Sequence, residues 1–135
     1  MIRQEFNILT YWKVIVYYDI DYNFFNYIED ELVKLSTPVG RIKHIKHELK
    51  HNAKAVTFSN TTKHISLVLF NKHKDNIDYM DSIVHEAEHI KQHILKVYNV
   101  KDEGEDAAYT IGYIIRQMLK VKPMKMLVIE KKQHF

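Results

Sequence analysis

A long amphipathic segment over residues 78–98 constrains the fold of this 135-residue chain more than any other feature. Its apolar side chains fall within one arc at about 100° per residue, as in a helix with one buried face: Met80, Ile83, Ala87, Ile90, Ile94 and Tyr98. A polar loop over 99–104 precedes a second helical pattern over 105–120, which Pro123 ends. Each of these two helices has to bury its apolar face against another layer of the same domain.

The rest of the chain predicts that other layer. Runs rich in β-branched and aromatic residues predict strands over 12–20, 55–58 and 64–70. Helical spacing predicts helices over 22–35, capped by Asp21, and over 41–52. The order of these elements predicts an α+β fold, with a small, mostly antiparallel sheet covered by the two C-terminal helices. The tail 121–135 is expected to be loose or to add an edge strand.

Composition fits one ordinary globular domain over 1–135. Apolar residues make up 46% and charged residues 27%, which excludes an intrinsically disordered chain. Cysteine is absent, so a disulfide framework, a thiol nucleophile and cysteine-based metal sites are excluded. The net charge of +3 is too small to indicate nucleic-acid binding by itself. No apolar run approaches a membrane span of about 20 residues, and no signal-peptide pattern is present, so we expect a cytoplasmic protein.

The long helix carries a candidate metal site, His85-Glu86-Ala87-Glu88-His89, which matches H-E-x-x-H. Histidines at i and i+4 project from the same helix face about 6 Å apart, so both imidazoles can bind one tetrahedral Zn²⁺. Glu86 lies at the edge of that face, where it can take a proton from a zinc-bound water. His93 extends the ladder, but eight residues of helix rise about 12 Å. His93 is therefore expected at the surface or next to the metal ligands, and not as a ligand itself.

A second copy of the motif, His47-Glu48-Leu49-Lys50-His51, requires a choice between the two. This copy lies in a short helix crowded by basic residues: Arg41, Lys43, Lys46, Lys50 and Lys54. Those charges repel a dication, and no carboxylate follows until Asp75. We therefore predict a solvated polar face for His47 and His51, and a metal site for His85 and His89.

A catalytic zinc site needs a third protein ligand. Four acidic residues follow the long helix: Asp102, Glu103, Glu105 and Asp106. Glu105 lies on the apolar border of the last helix and is the best-placed candidate, followed by Asp102 and then Glu103. Glu105 has an alternative role, because Asp102-x-x-Glu105 also matches a capping box at the start of that helix. The chain between His89 and Glu105 is long enough to return to the metal, unless the two helices form a tight antiparallel hairpin.

The H-E-x-x-H segment, together with Gly104-Glu105-Asp106-Ala107-Ala108-Tyr109-Thr110-Ile111-Gly112-Tyr113-Ile114, resembles the small gluzincin-type metallopeptidases. It is particularly similar to the compact minigluzincin-like forms of phages, prophages and mobile elements. The resemblance covers about residues 63–119. It implies His85, His89 and Glu105 as zinc ligands, Glu86 as the catalytic base, and the strand 63–70 as the substrate-binding edge.

These features lead to the expectation of a zinc-dependent metallohydrolase, a peptidase acting on a peptide or protein substrate. Hydrolysis also needs a donor to the developing oxyanion, for which Tyr109, Tyr113 and His64 are the sequence candidates. One alternative is a non-enzymatic module that binds nucleic acid or a protein partner through the basic face of 41–54. The other is a metal-binding fold of this kind that has lost catalysis.

Overall fold

Two parallel strands covered on both faces form the centre of the structure. In this computed structural model, which describes residues 1–122, one sheet contains β1 (Ile2–Ile8), β2 (Trp12–Tyr18), β3 (Ala55–Asn60) and β4 (Ile65–Phe70). The strand order is β1-β2-β4-β3, with β2 parallel to β4 and the two outer pairs antiparallel. β2 and β4 are almost continuous apolar runs, the pattern of strands buried on both faces.

Helices cover both faces of the sheet. A single 3-10 turn (Tyr22–Phe24) leads into α1 (Phe25–Lys34), which with α2 (Val39–His51) packs on one face around Ile15 and Leu67. The other face, around Val16 and Val68, is covered by α3 (Asn76–Val97) and α4 (Gly104–Val121). Alternate residues of β2 therefore enter two separate apolar cores.

The predicted α+β class is confirmed, and three details differ from the prediction. β1 was not predicted, because of its seven residues only Phe6 is buried and the apolar signal is correspondingly weak. The first two helices cover a face that the prediction left open. Asp21 caps the 3-10 turn by accepting from the Asn23 amide at 3.0 Å, and α1 begins only at Phe25. The predictions made for 123–135 lie outside the described residues.

The two long helices lie over opposite edges of the sheet. α4 follows β1: Gln4 Nε2 donates to the Gln117 carbonyl at 2.7 Å, and the Tyr113 hydroxyl donates to the Asn7 carbonyl at 3.0 Å. α3 follows β3, where Thr57 and Ser59 bind side chains of the helix. One flank of α3 thus faces the edge strand β3, while the other faces α4. Among residues 1–122, no helix combines the length and the apolar character needed to span a bilayer.

Candidate functional site

The H-E-x-x-H histidines of α3 meet at their ring tips. His85 Nε2 and His89 Nε2 lie 3.1 Å apart, with the two rings nearly perpendicular. Two ligands of a tetrahedral zinc with Zn–N bonds of about 2.0–2.1 Å stand about 3.3 Å apart, so this pair fits two positions of such a site. The same distance also fits a hydrogen bond between a protonated and an unprotonated ring nitrogen.

Glu86 is held under this pair by the edge strand. The residue is only 5% exposed, and its Oε1 accepts a hydrogen bond from Thr57 Oγ1 at 2.9 Å. The second oxygen, Oε2, lies 3.9 Å from His85 Nε2. The strand therefore fixes one carboxylate oxygen and leaves the other directed toward the histidines.

A cleft of about 540 Å³ opens between α3 and β3. Its lining includes the chain segment 54–57, Glu48 from α2, and a row of α3 side chains that contains His85, Glu86, His89 and His93. The expectation that 63–70 forms the edge beside the cleft is wrong, because β4 pairs on both sides and lies inside the sheet. The edge strand is β3, whose alternate residues Thr57 and Ser59 point toward α3.

His93 is part of the cleft wall. Its Nδ1 lies 2.6 Å from Ser59 Oγ, and the ring is half-buried, so of the two expected positions the exposed one is not observed. Burial lowers the pKa of His93 below its ordinary value of 6.5, and the nearby His89 and Lys96 lower it further. The ring is therefore neutral at pH 7.

The predicted third ligand, Glu105, does not join the histidines. It is exposed in the first turn of α4 and does not line the cleft. Its alternative role as a helix cap is not seen either: Glu103 is the N-cap residue of α4, without a side-chain capping hydrogen bond. Within residues 1–122 the structure contains no group of three or more histidine, aspartate or glutamate side chains arranged to hold a metal. The histidine pair fits zinc, whereas the predicted three-ligand set is not assembled.

An ion-pair cluster determines the position of the acidic loop that joins α3 to α4. Lys91 Nζ lies 2.6 Å from Asp102 Oδ1 and 2.7 Å from Glu88 Oε1, and these hydrogen bonds raise the pKa of Lys91. At 100° per residue, Lys91 projects about 160° away from His89. The loop before α4 is thus bound to the flank of α3 opposite the edge strand. Asp102, the next candidate ligand, forms its ion pair there, and Glu105, which comes after it in the sequence, also lies away from the cleft.

The three predicted oxyanion donors also lie away from the cleft. Tyr109 is 74% exposed on the outer surface of α4. Tyr113 donates its hydroxyl proton to the Asn7 carbonyl, beside β1. His64 stacks on Trp12 with ring centroids 5.2 Å apart and contacts Tyr98. None of the three lines the cleft beside Glu86.

The first H-E-x-x-H copy is arranged differently from the second. His47 and His51 stack with ring centroids 4.0 Å apart, and His51 Nδ1 donates to the His47 carbonyl at 2.8 Å. Glu48 lies 2.8 Å from His44 Nε2 on the exposed side of α2. Within residues 1–122, His47 and His51 form no hydrogen bond between their ring nitrogens, and one of those nitrogens is already hydrogen-bonded to the backbone, whereas the Nε2 atoms of His85 and His89 lie 3.1 Å apart.

Sequence reasoning missed Thr57 and Ser59, which bind Glu86 and His93. The available signal was the alternation of Ala55, Thr57 and Ser59, which puts these three small side chains on one face of a strand.

Comparison of the chain with protein families, with characterised proteins and with solved structures finds no match in any of the three. The resemblance to gluzincins therefore rests on the motif residues alone.

Proposed function

We propose that this protein is a zinc-dependent hydrolase that cleaves peptide bonds, with His85 and His89 as two of the metal ligands and Glu86 as the general base. One observation carries the proposal: the two Nε2 atoms lie 3.1 Å apart directly beside a buried carboxylate that faces an open cleft. Zinc bound there would acidify a water molecule to a pKa of about 7.

The chain's own residues support the role of Glu86. The hydrogen bond from Thr57 holds Oε1, so the free Oε2 is the oxygen that can accept a proton at the histidine pair. A base must lie within hydrogen-bond reach of the proton that it removes, and a fixed carboxylate meets that requirement better than a mobile one. Its burial also limits competing hydration.

The edge strand supports a peptide as the substrate. Among residues 1–122, β3 pairs with β4 along one edge and with no strand along the other, so the backbone groups on that outer edge can bind an extended chain. Strand addition would lay such a peptide along the cleft, with its backbone close to Glu86. A substrate recognised through backbone groups needs no deep side-chain pocket, which agrees with an open cleft.

The test combines metal content with turnover. We expect the wild type to retain one zinc after dialysis and to cleave an unstructured peptide mixture, with products read by mass spectrometry. Glu86→Gln keeps the shape of the side chain but removes the base, so it should retain zinc and lose hydrolysis. His85→Ala with His89→Ala should lose both. Unchanged turnover in Glu86→Gln, or no zinc in the wild type, would contradict the proposal.

The two alternatives give different outcomes in the same experiments. A fold that has lost catalysis would retain zinc without any hydrolysis. A nucleic-acid module would bind DNA with a steep salt dependence. No observation specifically favours the latter, because Lys46 of the basic face already contacts Glu29 and Phe25, and Lys50 lies over the Tyr22 ring.

A further inference from the structure

A chain of hydrogen bonds runs from the protein core to the cleft. Trp12 Nε1 donates to Ser66 Oγ at 2.9 Å, Ser66 Oγ lies 2.7 Å from Ser59 Oγ, and Ser59 Oγ lies 2.6 Å from His93 Nδ1. Trp12 is 2% exposed and Ser66 is fully buried. This series of hydrogen bonds crosses β2, β4 and β3 in turn and ends on α3, so it connects three of the four strands to the cleft.

The first member of this series of hydrogen bonds can only donate, and the donors of the later bonds are assigned from it. An indole N–H can only donate, so Ser66 Oγ accepts from Trp12. Either hydroxyl of the Ser66–Ser59 pair can donate. We assign the donation to Ser66, because its hydroxyl is fully buried and, within residues 1–122, Ser59 Oγ is its only hydrogen-bond partner besides Trp12. Ser59 then has its own proton to donate, and His93 Nδ1 is its other hydrogen-bond partner in that part of the chain, so we assign this donation to Ser59.

This direction selects one tautomer of His93. A neutral imidazole whose Nδ1 accepts a hydrogen bond carries its proton on Nε2. Among the described residues, no hydrogen bond to His93 Nε2 is recorded, although the ring lines the cleft. A half-buried ring in the cleft wall thus carries its N–H at Nε2, and its centroid lies 6.4 Å from that of the His89 ring.

We propose that His93 Nε2–H is a substrate-binding donor, which donates to the carbonyl oxygen of a peptide lying along β3 in the cleft. This inference rests on the proposed function. It assigns to His93 the role of oxyanion donor, for which the residues predicted from the sequence lie away from the cleft. A neutral N–H matches a neutral carbonyl without the desolvation cost of a charged group. The bond strengthens when that oxygen gains negative charge during hydrolysis, so the donor contributes mainly to kcat.

The tautomer is tested without any activity assay. Nitrogen-15 NMR of zinc-loaded protein at pH 7 should show His93 predominantly as the Nε2–H form. Ser59→Ala removes the donor to Nδ1 and should produce a mixture of tautomers, whereas Ser59→Thr keeps a hydroxyl and should preserve the wild-type signal. A predominant Nδ1–H form in the wild type would overturn the proposal.

The donor role is tested with two substitutions of similar polarity. The amide nitrogen of Gln reaches the position of Nε2, whereas that of Asn reaches only the position of Nδ1. We expect His93→Asn to lower kcat about tenfold or more with KM little changed, and His93→Gln to retain most of the activity. Zinc content should stay at one in both variants. Equal kcat in His93→Asn and the wild type would overturn the donor role.

A binding measurement separates this inference from the proposed function. The peptide mixture, added to zinc-loaded Glu86→Gln protein at millimolar concentration, should shift the His93 Nε2–H resonance. A wild type that cleaves nothing, together with this shift, would refute the hydrolase and retain the donor. Hydrolysis by the wild type without any shift in the variant would refute the donor and retain the hydrolase.

Discussion

Thr57 Oγ1 donates to Glu86 Oε1 across 2.9 Å and so joins the edge strand to the helix that carries the histidine pair. The bond fixes the carboxylate from the side of the cleft on which we propose that substrate binds. A base on α3 is therefore oriented by the strand that the substrate would extend.

We expect Thr57→Val to lower kcat about tenfold, because the nearly isosteric side chain removes the donor while it preserves packing. The free energy of unfolding should fall by about 1–2 kcal/mol, since a buried carboxylate oxygen loses its hydrogen bond. Thr57→Ser retains the hydroxyl and serves as the control. Steady-state kinetics with parallel zinc analysis checks the prediction, and it fails if Thr57→Val turns over like Thr57→Ser.

The sequence was sufficient to predict α3 and the face that carries His85, Glu86 and His89. A long helix with a clear apolar arc fixes the direction of every other side chain on it. The strand that faces this helix was harder to recognise as the edge. β3 alternates small and apolar residues, unlike the apolar run of β4. Which of the two lies at the edge depends on the pairing of β4 with β2, and those two strands are distant in sequence.

The position of Glu105 could not be derived from the sequence. Helical spacing gives the face of α4 on which Glu105 lies, but not the flank of α3 on which α4 packs. That choice depends on contacts distant in sequence, such as those of Gln4 and Tyr113 with partners across the α4–β1 interface. The loop length permitted both arrangements, and the pairing of Lys91 with Asp102 stabilises the one observed.

The tether between Lys91 and Asp102 leads to a stability prediction. Lys91→Met removes a largely buried ammonium group and leaves the carboxylates of Glu88 and Asp102 without the cation that they share. We expect the free energy of unfolding to fall by about 1–2 kcal/mol in urea denaturation, while zinc content stays unchanged. Asp102→Asn keeps the shape of the side chain and should cost less. Loss of zinc in Asp102→Asn would instead identify Asp102 as a metal ligand.

Glu105→Gln tests whether Glu105 is a metal ligand, as the sequence predicts, or lies away from the metal, as in the structure. Because Glu105 is exposed and does not line the cleft, we expect the zinc dissociation constant to stay within about threefold of wild type. Removal of a true protein ligand should weaken binding far more. A chelator competition titration measures the difference, with Asp106→Asn as the control on the same helical turn. A loss of affinity beyond tenfold, confined to Glu105→Gln, would show that α4 supplies the third ligand.

The two H-E-x-x-H copies allow a matched comparison. His47→Ala with His51→Ala should leave one zinc bound, because these rings stack face to face and one of their ring nitrogens is already bonded to the backbone. Both residues are exposed, so the free energy of unfolding should change by only about 0.5 kcal/mol. His85→Ala with His89→Ala should lose the metal. The opposite result for the two double variants would move the metal site to α2.

The lowered pKa of His93 predicts how stability depends on pH. Below its ordinary pKa of 6.5, the unfolded chain binds a proton at this residue while the folded protein, which buries the ring, does not. The unfolded state then binds more protons, so the free energy of unfolding falls as pH decreases from 6.5 toward the folded-state pKa, and this contribution levels off below it. His93→Gln lacks the titrating group and should show a shallower fall over the same range. Because the two proteins differ only at position 93, the difference between their two sets of urea-denaturation curves isolates His93. A wild type and His93→Gln with parallel pH dependence would contradict the assignment of a buried, neutral ring.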